Sequence, residues 1–399
     1  MKHTLLTLFL LFQFLLVKSQ HLIQFETGEW DEIIEQASDE QKLIYFGITT
    51  EWSKPCQNFI EYVYSDKNVS DYFNSHFINV NRNLEDQTAK EFVSRYGIRS
   101  YPAHLFFDSK GKLLHMMKGT MPTDVFLSKC EKVYDPKFQF FTIREKLREG
   151  KELSFDEYLN YCSSAFDLGI KDKDAFEGFI KKLKAEDLDN PQVMDVICHS
   201  LYHSNVKDEA FAFYIEHYKI ISSYIERKNL QNIYTQFIKN TLSYHLLEKK
   251  TAVFEKDMYV LKQYLPAEYT VKSAFIYEPK FYLSTGDNQT AFYRINQNFM
   301  AAQKIGGHEI VGYCNDWAWM IFNSSDNTSE LKSALKWVEY GLSQDHNKLD
   351  MMDTQAHLYY KLGLMDQAEL IAKEVKLQSE NTGRTTDKID ALLKNIKLN

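Results

Sequence analysis

The chain has 399 residues and a net charge of −8, and no basic patch is interleaved with aromatic residues, which argues against a nucleic-acid partner. Hydrophobic residues make up 44% of the sequence, enough for more than one core, while 15 glycines and 7 prolines indicate a mostly ordered, helix-rich protein. Five cysteines are too few for a disulfide scaffold, and their odd number leaves at least one thiol free or paired with another molecule.

The first residues predict a signal peptide over residues 1–19. Lys2 and His3 give a short basic start, and residues 4–17 are almost wholly apolar. Residues 17–19 offer small or modest side chains for a cleavage site, and an uncleaved anchor is the alternative. The apolar run is too short to span a bilayer and no later run is long enough. We therefore expect an exported protein, periplasmic or secreted, without a membrane span after signal removal.

Residues 20–135 alternate between short apolar runs, which predict strands, and segments of helical spacing. The predicted strands are 22–25, 43–46, 77–80, 105–107 and 112–117. The predicted helices are 30–37, a segment behind Cys56, 88–96 and 123–133. Residues 108–111 form a predicted hairpin turn between the last two strands. The order predicts an α/β domain with a mixed sheet and helices on both faces.

The segment Trp52-Ser53-Lys54-Pro55-Cys56 follows the second predicted strand, and Gly97-Ile98 precedes Tyr101-Pro102 later in the domain. These residues resemble the thioredoxin superfamily, in particular exported bacterial thioredoxin-like proteins with a helical C-terminal extension. The resemblance implies a cis bond before Pro102 and a shallow groove for an extended peptide. The groove residues that it implies are Trp52, Lys54, Pro55, Tyr101 and Pro102.

The sequence departs from that family at the attacking position, where Ser53 replaces the nucleophilic cysteine. Dithiol exchange begins with a thiolate at the helix N-terminus, and a serine hydroxyl has no comparable acidity. No base lies beside Ser53 in sequence, so we interpret its hydroxyl as a helix N-cap. Gly47 occupies the place where many relatives carry a buried acid. Cys56, in the resolving position, is either an inert buried residue or a slow monothiol.

The other cysteines do not restore the missing thiol. They are Cys130 in the closing helix of this domain, expected far from the motif, and Cys162, Cys198 and Cys314 in the helical half. A Cys162–Cys198 disulfide stays open as an alternative. Cys198, His199 and His203 have helical spacing, but three ligands without a fourth are weak evidence for a metal, so we predict no metal and no cofactor. His104 is either groove-lining or structural.

Residues 136–399 show helical periodicity throughout. Residues 136–274 predict a helical region, and residues 275–385 carry a repeat in which Tyr282, Gly286 and Ala291 recur as Tyr359, Gly363 and Ala368. The repeat resembles tetratricopeptide units, which implies stacked helical hairpins with a concave surface that binds a peptide or packs on a neighbouring domain. A plain helical bundle is the alternative. Residues 386–399 predict a polar tail ending in a loose helix.

These observations support functions from different classes. The first hypothesis is an exported binding protein that holds protein or peptide clients without turning over disulfides. The alternative is a weak thiol–disulfide oxidoreductase or isomerase that works through Cys56 alone. A third possibility is that the whole chain is a scaffold component.

Overall fold

The computed structural model of the chain describes residues 22–305, 309–345 and 348–398. The predicted signal peptide over residues 1–19 lies outside this range. Two compact units make up the chain, the first ending at Ser200 and the second starting at Leu201. Within the described residues, no helix combines the length and apolar character needed to cross a membrane.

Four strands form one mixed sheet in the described part of the first unit, in the order β2-β1-β3-β4. The strands are β1 (Leu43–Thr49), β2 (Phe77–Asn83), β3 (Ala103–Phe107) and β4 (Leu113–Lys118). β1 runs parallel to β2 and antiparallel to β3, and β3 pairs with β4 in an antiparallel hairpin. Gly111 closes that hairpin at φ +78°, a conformation that side chains other than glycine rarely adopt. The mixed sheet and its hairpin agree with the predicted α/β class.

Nine helices accompany this sheet in the first unit, within the residues described. They are α1 (Trp30–Glu40), α2 (Lys54–Tyr62), α3 (Lys67–His76), α4 (Gln87–Tyr96), α5 (Thr123–Lys132), α6 (Phe140–Arg148), α7 (Phe155–Leu168), α8 (Lys173–Ile180) and α9 (Pro191–His203, which runs into the second unit). Asp66 and Asp86 cap α3 and α4 by accepting backbone N–H groups, and α4 ends at Gly97 as predicted. Pro191 begins α9, a position that suits proline because the first helical residue has no intrahelical use for its N–H.

The predicted strand at residues 22–25 is wrong, because this segment pairs with side chains rather than with a neighbouring strand. The backbone N–H of Gln24 donates to Asn74 Oδ1, and Asn74 Nδ2 donates to the carbonyl of Leu22. One ladder-like bond follows, from Glu26 N to Asn79 O. The alternation of side chains predicted an extended backbone but could not show that Asn74, on α3, takes the hydrogen-bonding groups.

Each face of the sheet carries its own apolar core. Phe46, Ile48 and Leu105 belong to one core, which α1 and α4 cover. Tyr45 and Phe106, which are adjacent in sequence to Phe46 and Leu105, belong to the other core, which lies under α2, α3 and α5. Alternate residues of a strand point to opposite faces, so this single strand pair supplies both layers. The second core is the one on which the functional motif rests.

A partly buried ion pair lies in the helical part of the first unit, where Lys146 on α6 donates to Glu157 on α7 at 2.6 Å. Ser154 N and Ser154 Oγ also donate to Glu157, which is 7% exposed. Burial raises the pKa of Glu157, but these hydrogen bonds outweigh it and lower the pKa to about 2. The carboxylate therefore stabilises the fold above its ordinary pKa near 4.5, and this stabilisation is lost as the pH falls through about 2.

Replacing Glu157→Gln should lower the free energy of unfolding at pH 7 by about 2 kcal/mol, because charged hydrogen bonds become neutral ones. The difference from wild type should shrink as the pH is lowered from about 4.5 towards 2, where the native carboxylate takes up its proton. Urea unfolding at a series of pH values measures both effects. Glu152→Gln is the matched control, since Glu152 pairs with Lys182 at the surface. A pH-independent difference for Glu157→Gln would contradict this assignment.

The second unit is helical throughout its described residues. Its helices are α10 (Glu209–Glu216), α11 (Tyr218–Arg227), α12 (Asn232–Glu248), α13 (Thr251–Tyr264), α14 (Ala267–Ser284), α15 (Asn288–Ile305), α16 (Glu309–Ser324), α17 (Thr328–Gln344), α18 (Leu349–Lys361), α19 (Met365–Asn381) and α20 (Asp387–Leu398). His217 separates α10 from α11, so two short helices cover residues 209–227.

Consecutive helices of the last third pack in pairs, α14 with α15, α16 with α17 and α18 with α19. Gly286 and Gly363 both have positive φ in the turns within their pairs. Trp317 is buried in the shared core, where its indole N–H donates to the carbonyl of Phe275 at 2.6 Å. The tetratricopeptide assignment itself stays a prediction.

The polar tail predicted for residues 386–399 needs correction. This segment contains α20, an amphipathic helix whose Ile389, Leu392 and Ile396 are buried. They pack against Ala368 and Ala372 of α19, together with neighbouring apolar side chains. Spaced three and four residues apart, these apolar side chains form one helix face, which the high polarity of the segment concealed.

Candidate functional site

The predicted motif lies in the turn between β1 and α2, which we call the motif loop (residues 50–53). Ser53 immediately precedes α2, and its carbonyl accepts the backbone N–H of Gln57 at 3.0 Å. The Ser53 side chain makes no capping hydrogen bond, so the predicted N-cap role of its hydroxyl is wrong. Pro55 occupies the first turn, where its missing N–H leaves no bond unmade, which helps the helix to start without the cap.

Sheet pairing brings the motif loop next to the segment that carries Pro102, which we call the proline loop (residues 98–102). Ile48, at the end of β1, pairs with Ala103, at the start of β3. Because the two strands are antiparallel, the loop after β1 and the loop before β3 lie at the same end of the sheet. The Tyr101–Pro102 peptide bond is cis. The predicted groove residues therefore come from the motif loop, the first turn of α2 and the proline loop.

The groove residues differ in how far they reach the surface. Trp52 is 76% exposed, although large aromatic side chains are usually buried. Lys54 and Pro55 are exposed, Tyr101 is half-buried and Pro102 is buried. This face therefore offers a large exposed ring and a cation beside a buried proline.

Cys56 lies behind this face and is 0% exposed. Its sulfur accepts a long hydrogen bond from Thr50 Oγ1 at 3.8 Å. The side chain sits one turn into α2, on the side that faces the core and away from the exposed Pro55. A reagent can reach this thiol only after local opening of the motif loop or of α2, so the native state offers no exposed sulfur at the motif.

The space beneath the motif, around Gly47, is filled by polar atoms from three other residues. A Cβ placed on Gly47 would lie 2.6 Å from Asn81 Oδ1, 2.7 Å from the Tyr64 hydroxyl and 3.2 Å from the Tyr45 hydroxyl. Real Cβ atoms do not approach other atoms so closely, so no larger side chain fits without displacement. Asn81 Oδ1 is buried and accepts no hydrogen bond. The position that holds an acid in many relatives is closed here.

Three buried side chains form what we call the hydroxyl–imidazole chain, which consists of Tyr64, Tyr45 and His104. The two tyrosine hydroxyls are 2.6 Å apart, and the Tyr45 hydroxyl is 2.8 Å from His104 Nδ1. His104 Nε2 lies 3.2 Å from the carbonyl oxygen of Gly119. The imidazole also packs against the rings of Phe59 and Phe126.

None of these groups replaces the missing acid as a proton acceptor at neutral pH. Burial lowers the pKa of His104 to about 4, so the imidazole is neutral at pH 7 and resists a second proton. Burial also raises the pKa of both Tyr45 and Tyr64, so both hydroxyls keep their protons. The hydroxyl–imidazole chain is therefore a neutral hydrogen-bonded network, and no carboxylate takes part in it.

One further thiol lies in the core beneath this region. Cys130, expected far from the motif, belongs to the same buried cluster as Phe59 and Tyr64. Burial raises the pKa of the Cys130 thiol, which keeps it protonated. All five cysteines are free and buried, so the alternative of a Cys162–Cys198 disulfide is not formed.

The histidines noted in the helical half do not form a site. His199 packs against the rings of Phe166 and Phe176 in the first unit. Across the described residues, no group of three histidine, cysteine or acidic side chains is arranged to hold a metal ion.

The features that sequence reasoning missed are Tyr45, Tyr64 and Asn81. Tyr45 is two residues from Gly47 in β1, so the alternation of side chains along a strand could have placed both on the same face of the sheet. Nothing in the sequence indicates where the Tyr64 hydroxyl points.

Comparison with known proteins agrees with the fold of this domain. Residues 30–134 match the family described as a thioredoxin-like domain. A thiol:disulfide interchange protein, DsbD, from Photorhabdus laumondii is 28% identical over 100 residues, which are 24% of this chain and 17% of that relative. The match thus spans about a sixth of that relative's length.

Solved structures similar to the same part of the chain carry related descriptions. A putative disulphide-isomerase from Bacteroides thetaiotaomicron is 30% identical, with a TM-score of 0.27, and the match covers 29% of this chain and 94% of that one. A thioredoxin from Thermus thermophilus is 19% identical, with a TM-score of 0.26, over 29% of this chain and 88% of that one. Both similarities are confined to under a third of the chain.

Proposed function

We propose, from the membership of residues 30–134 in the thioredoxin superfamily, that the chain is an exported binding protein for extended segments of client proteins. In this proposal the face formed by Trp52, Lys54, Pro55, Tyr101 and Pro102 holds the client. The motif Ser53-x-x-Cys56 no longer turns over disulfides. The helical repeats predicted over residues 275–385 supply a further recognition surface in the same proposal.

The observation that carries the proposal is the absence of an exposed sulfur at the motif. Ser53 has a hydroxyl at the attacking position, and Cys56 is completely buried. Disulfide exchange needs a thiolate that can reach the client sulfur, and neither residue supplies one. Trp52, in contrast, stays exposed, and an exposed aromatic ring beside polar neighbours is typical of a recognition surface.

A redox role is the second candidate, and it rests on the relatives. DsbD and the bacterial isomerase are described by names that refer to disulfide chemistry. In this chain such chemistry would have to proceed through Cys56 alone, as a weak monothiol oxidoreductase or isomerase. The burial of Cys56 disfavours that candidate, because each reaction would first require local unfolding.

Binding to a permanently unfolded protein tests the proposal. Fluorescein-labelled, reduced and carboxymethylated α-lactalbumin should bind the wild-type chain saturably in an anisotropy titration. Trp52→Ala should weaken the binding about tenfold, since a central aromatic contact contributes more than 1 kcal/mol. Tyr259→Ala, which removes a 70% exposed ring from α13, is the matched control and should leave the affinity unchanged. No saturable binding, or equal loss in both variants, would reject the proposed groove.

A further inference from the structure

The hydroxyl–imidazole chain has a defined direction. A carbonyl oxygen can only accept, so His104 Nε2 carries the hydrogen that it donates to Gly119 O. A neutral imidazole then has a lone pair at Nδ1, which accepts the Tyr45 hydroxyl. The Tyr45 oxygen in turn accepts the Tyr64 hydroxyl. Each group donates to the next, from Tyr64 through Tyr45 and His104 to Gly119.

The two ends of the hydroxyl–imidazole chain connect to the two elements that carry the predicted groove residues. Tyr64 follows α2, the helix that the motif loop begins, and its backbone N–H donates to the carbonyl of Phe59. At the other end, Gly119 N donates to the carbonyl of Pro102 at 2.7 Å. A series of hydrogen bonds therefore runs from the end of α2, along one face of the sheet, to the proline loop.

The hydroxyl–imidazole chain occupies the space in which many relatives hold a buried acid. Gly47 opens the space that the Tyr64 and Tyr45 hydroxyls occupy, and a side chain there would displace them. Tyr45, on β1, and His104, on β3, project into the same core from neighbouring strands. A neutral network that joins fixed elements suits a static link better than proton transfer.

We propose that His104 is a positioning residue that fixes the proline loop relative to the motif helix. It acts through its Nε2–H bond to Gly119, and the tyrosine pair selects the tautomer that makes this bond. The inference rests on the proposed groove and extends it by naming the residues that set its width. His104 itself contacts no client.

Two substitutions at His104 test the roles of its two ring nitrogens separately. The glutamine amide introduced by His104→Gln reaches as far as Nε2 and can donate to Gly119, whereas the shorter amide introduced by His104→Asn reaches only Nδ1 and can accept from Tyr45. Amide hydrogen exchange of Gly119, followed by NMR in the full chain, reports the link without any client. We expect exchange at Gly119 at least about tenfold faster in His104→Asn than in His104→Gln. Binding of the labelled lactalbumin should weaken about fivefold in His104→Asn and less than about twofold in His104→Gln.

Further variants distinguish positioning from general stability. Tyr64→Phe removes only the hydroxyl at the head of the chain and should raise Gly119 exchange by about threefold, even if the His104 variants do not fold. His115→Gln alters another buried histidine, which accepts the Phe140 N–H, and should leave Gly119 exchange unchanged. Equal exchange in the Asn and Gln variants, or no effect of Tyr64→Phe, would overturn the inference. If Gly119 exchange differs between His104→Asn and His104→Gln but the wild-type protein does not bind the labelled lactalbumin, the proposed function is rejected and the positioning role stands.

Discussion

Changing Ser53→Cys should give the chain a disulfide reductase activity that the wild type lacks. In the dithiothreitol-driven reduction of insulin, we expect wild type and Cys56→Ser to match the uncatalysed rate, and Ser53→Cys to exceed it by about tenfold. A cysteine at this position lies at the N-terminus of α2, where the helix dipole and unpaired N–H groups favour the thiolate. Cys56, one turn later, can then resolve the mixed disulfide.

The gain should stay below that of a complete dithiol catalyst. Gly47 provides no carboxylate to take the proton of the resolving thiol, and the neutral chain beneath it does not replace one. Resolution of the mixed disulfide should therefore limit turnover. Ser53→Cys/Cys56→Ser should form mixed disulfides with insulin but release no product, which separates attack from resolution.

An exposed cysteine elsewhere provides the control for this experiment. Ser65→Cys places a thiol on an exposed turn after α2, without a resolving partner, and should not accelerate insulin reduction. If wild type itself turned over insulin, and Cys56→Ser abolished that turnover, the monothiol candidate would be correct and the binding proposal would be abandoned.

Local sequence patterns revealed much of this domain, because strand and helix periodicities directly reflect which side chains face a core. The apolar run at residues 43–46 became β1, and the positions of Ser53, Cys56 and Pro102 relative to the strands fixed where the two loops meet. The cap at Ser53 and the strand at residues 22–25 failed for one reason. In both places a specific hydrogen bond decides the local structure, and the residue type alone does not show whether that bond is made.

The interior beneath the motif could be inferred only in part. Gly47 indicated that the acid was missing, but not what fills its space. The answer depends on Tyr64, whose hydroxyl reaches back under the sheet from the end of α2. Such a contact joins residues of different elements through side-chain length and rotamer, which no periodicity records. The membership of Cys130 in the same buried cluster as this tyrosine could not be predicted for the same reason.

Restoring an acid with Gly47→Asp should destabilise the protein by about 3 kcal/mol or more in urea unfolding followed by circular dichroism. The new Cβ would overlap Asn81 Oδ1 and the Tyr64 hydroxyl, and the carboxylate would be buried without a cation to pair with it. Gly47→Ala introduces the overlap without the charge and should cost about 1–3 kcal/mol. The difference between the two variants measures the burial of the carboxylate.

Tyr64→Phe should partly relieve the strain, since it removes one of the two closest atoms. The double variant Gly47→Asp/Tyr64→Phe should therefore lose about 1 kcal/mol less free energy of unfolding than the two single variants lose together, because the two side chains compete for one space. Additive losses would show that Tyr64 does not close the site. A Gly47→Asp variant as stable as wild type would mean that the interior accommodates an acid readily, and one further change at Ser53 would then separate this chain from a dithiol catalyst. The expected penalty instead implies that an acid cannot be introduced at Gly47 without also changing the side chains packed around it.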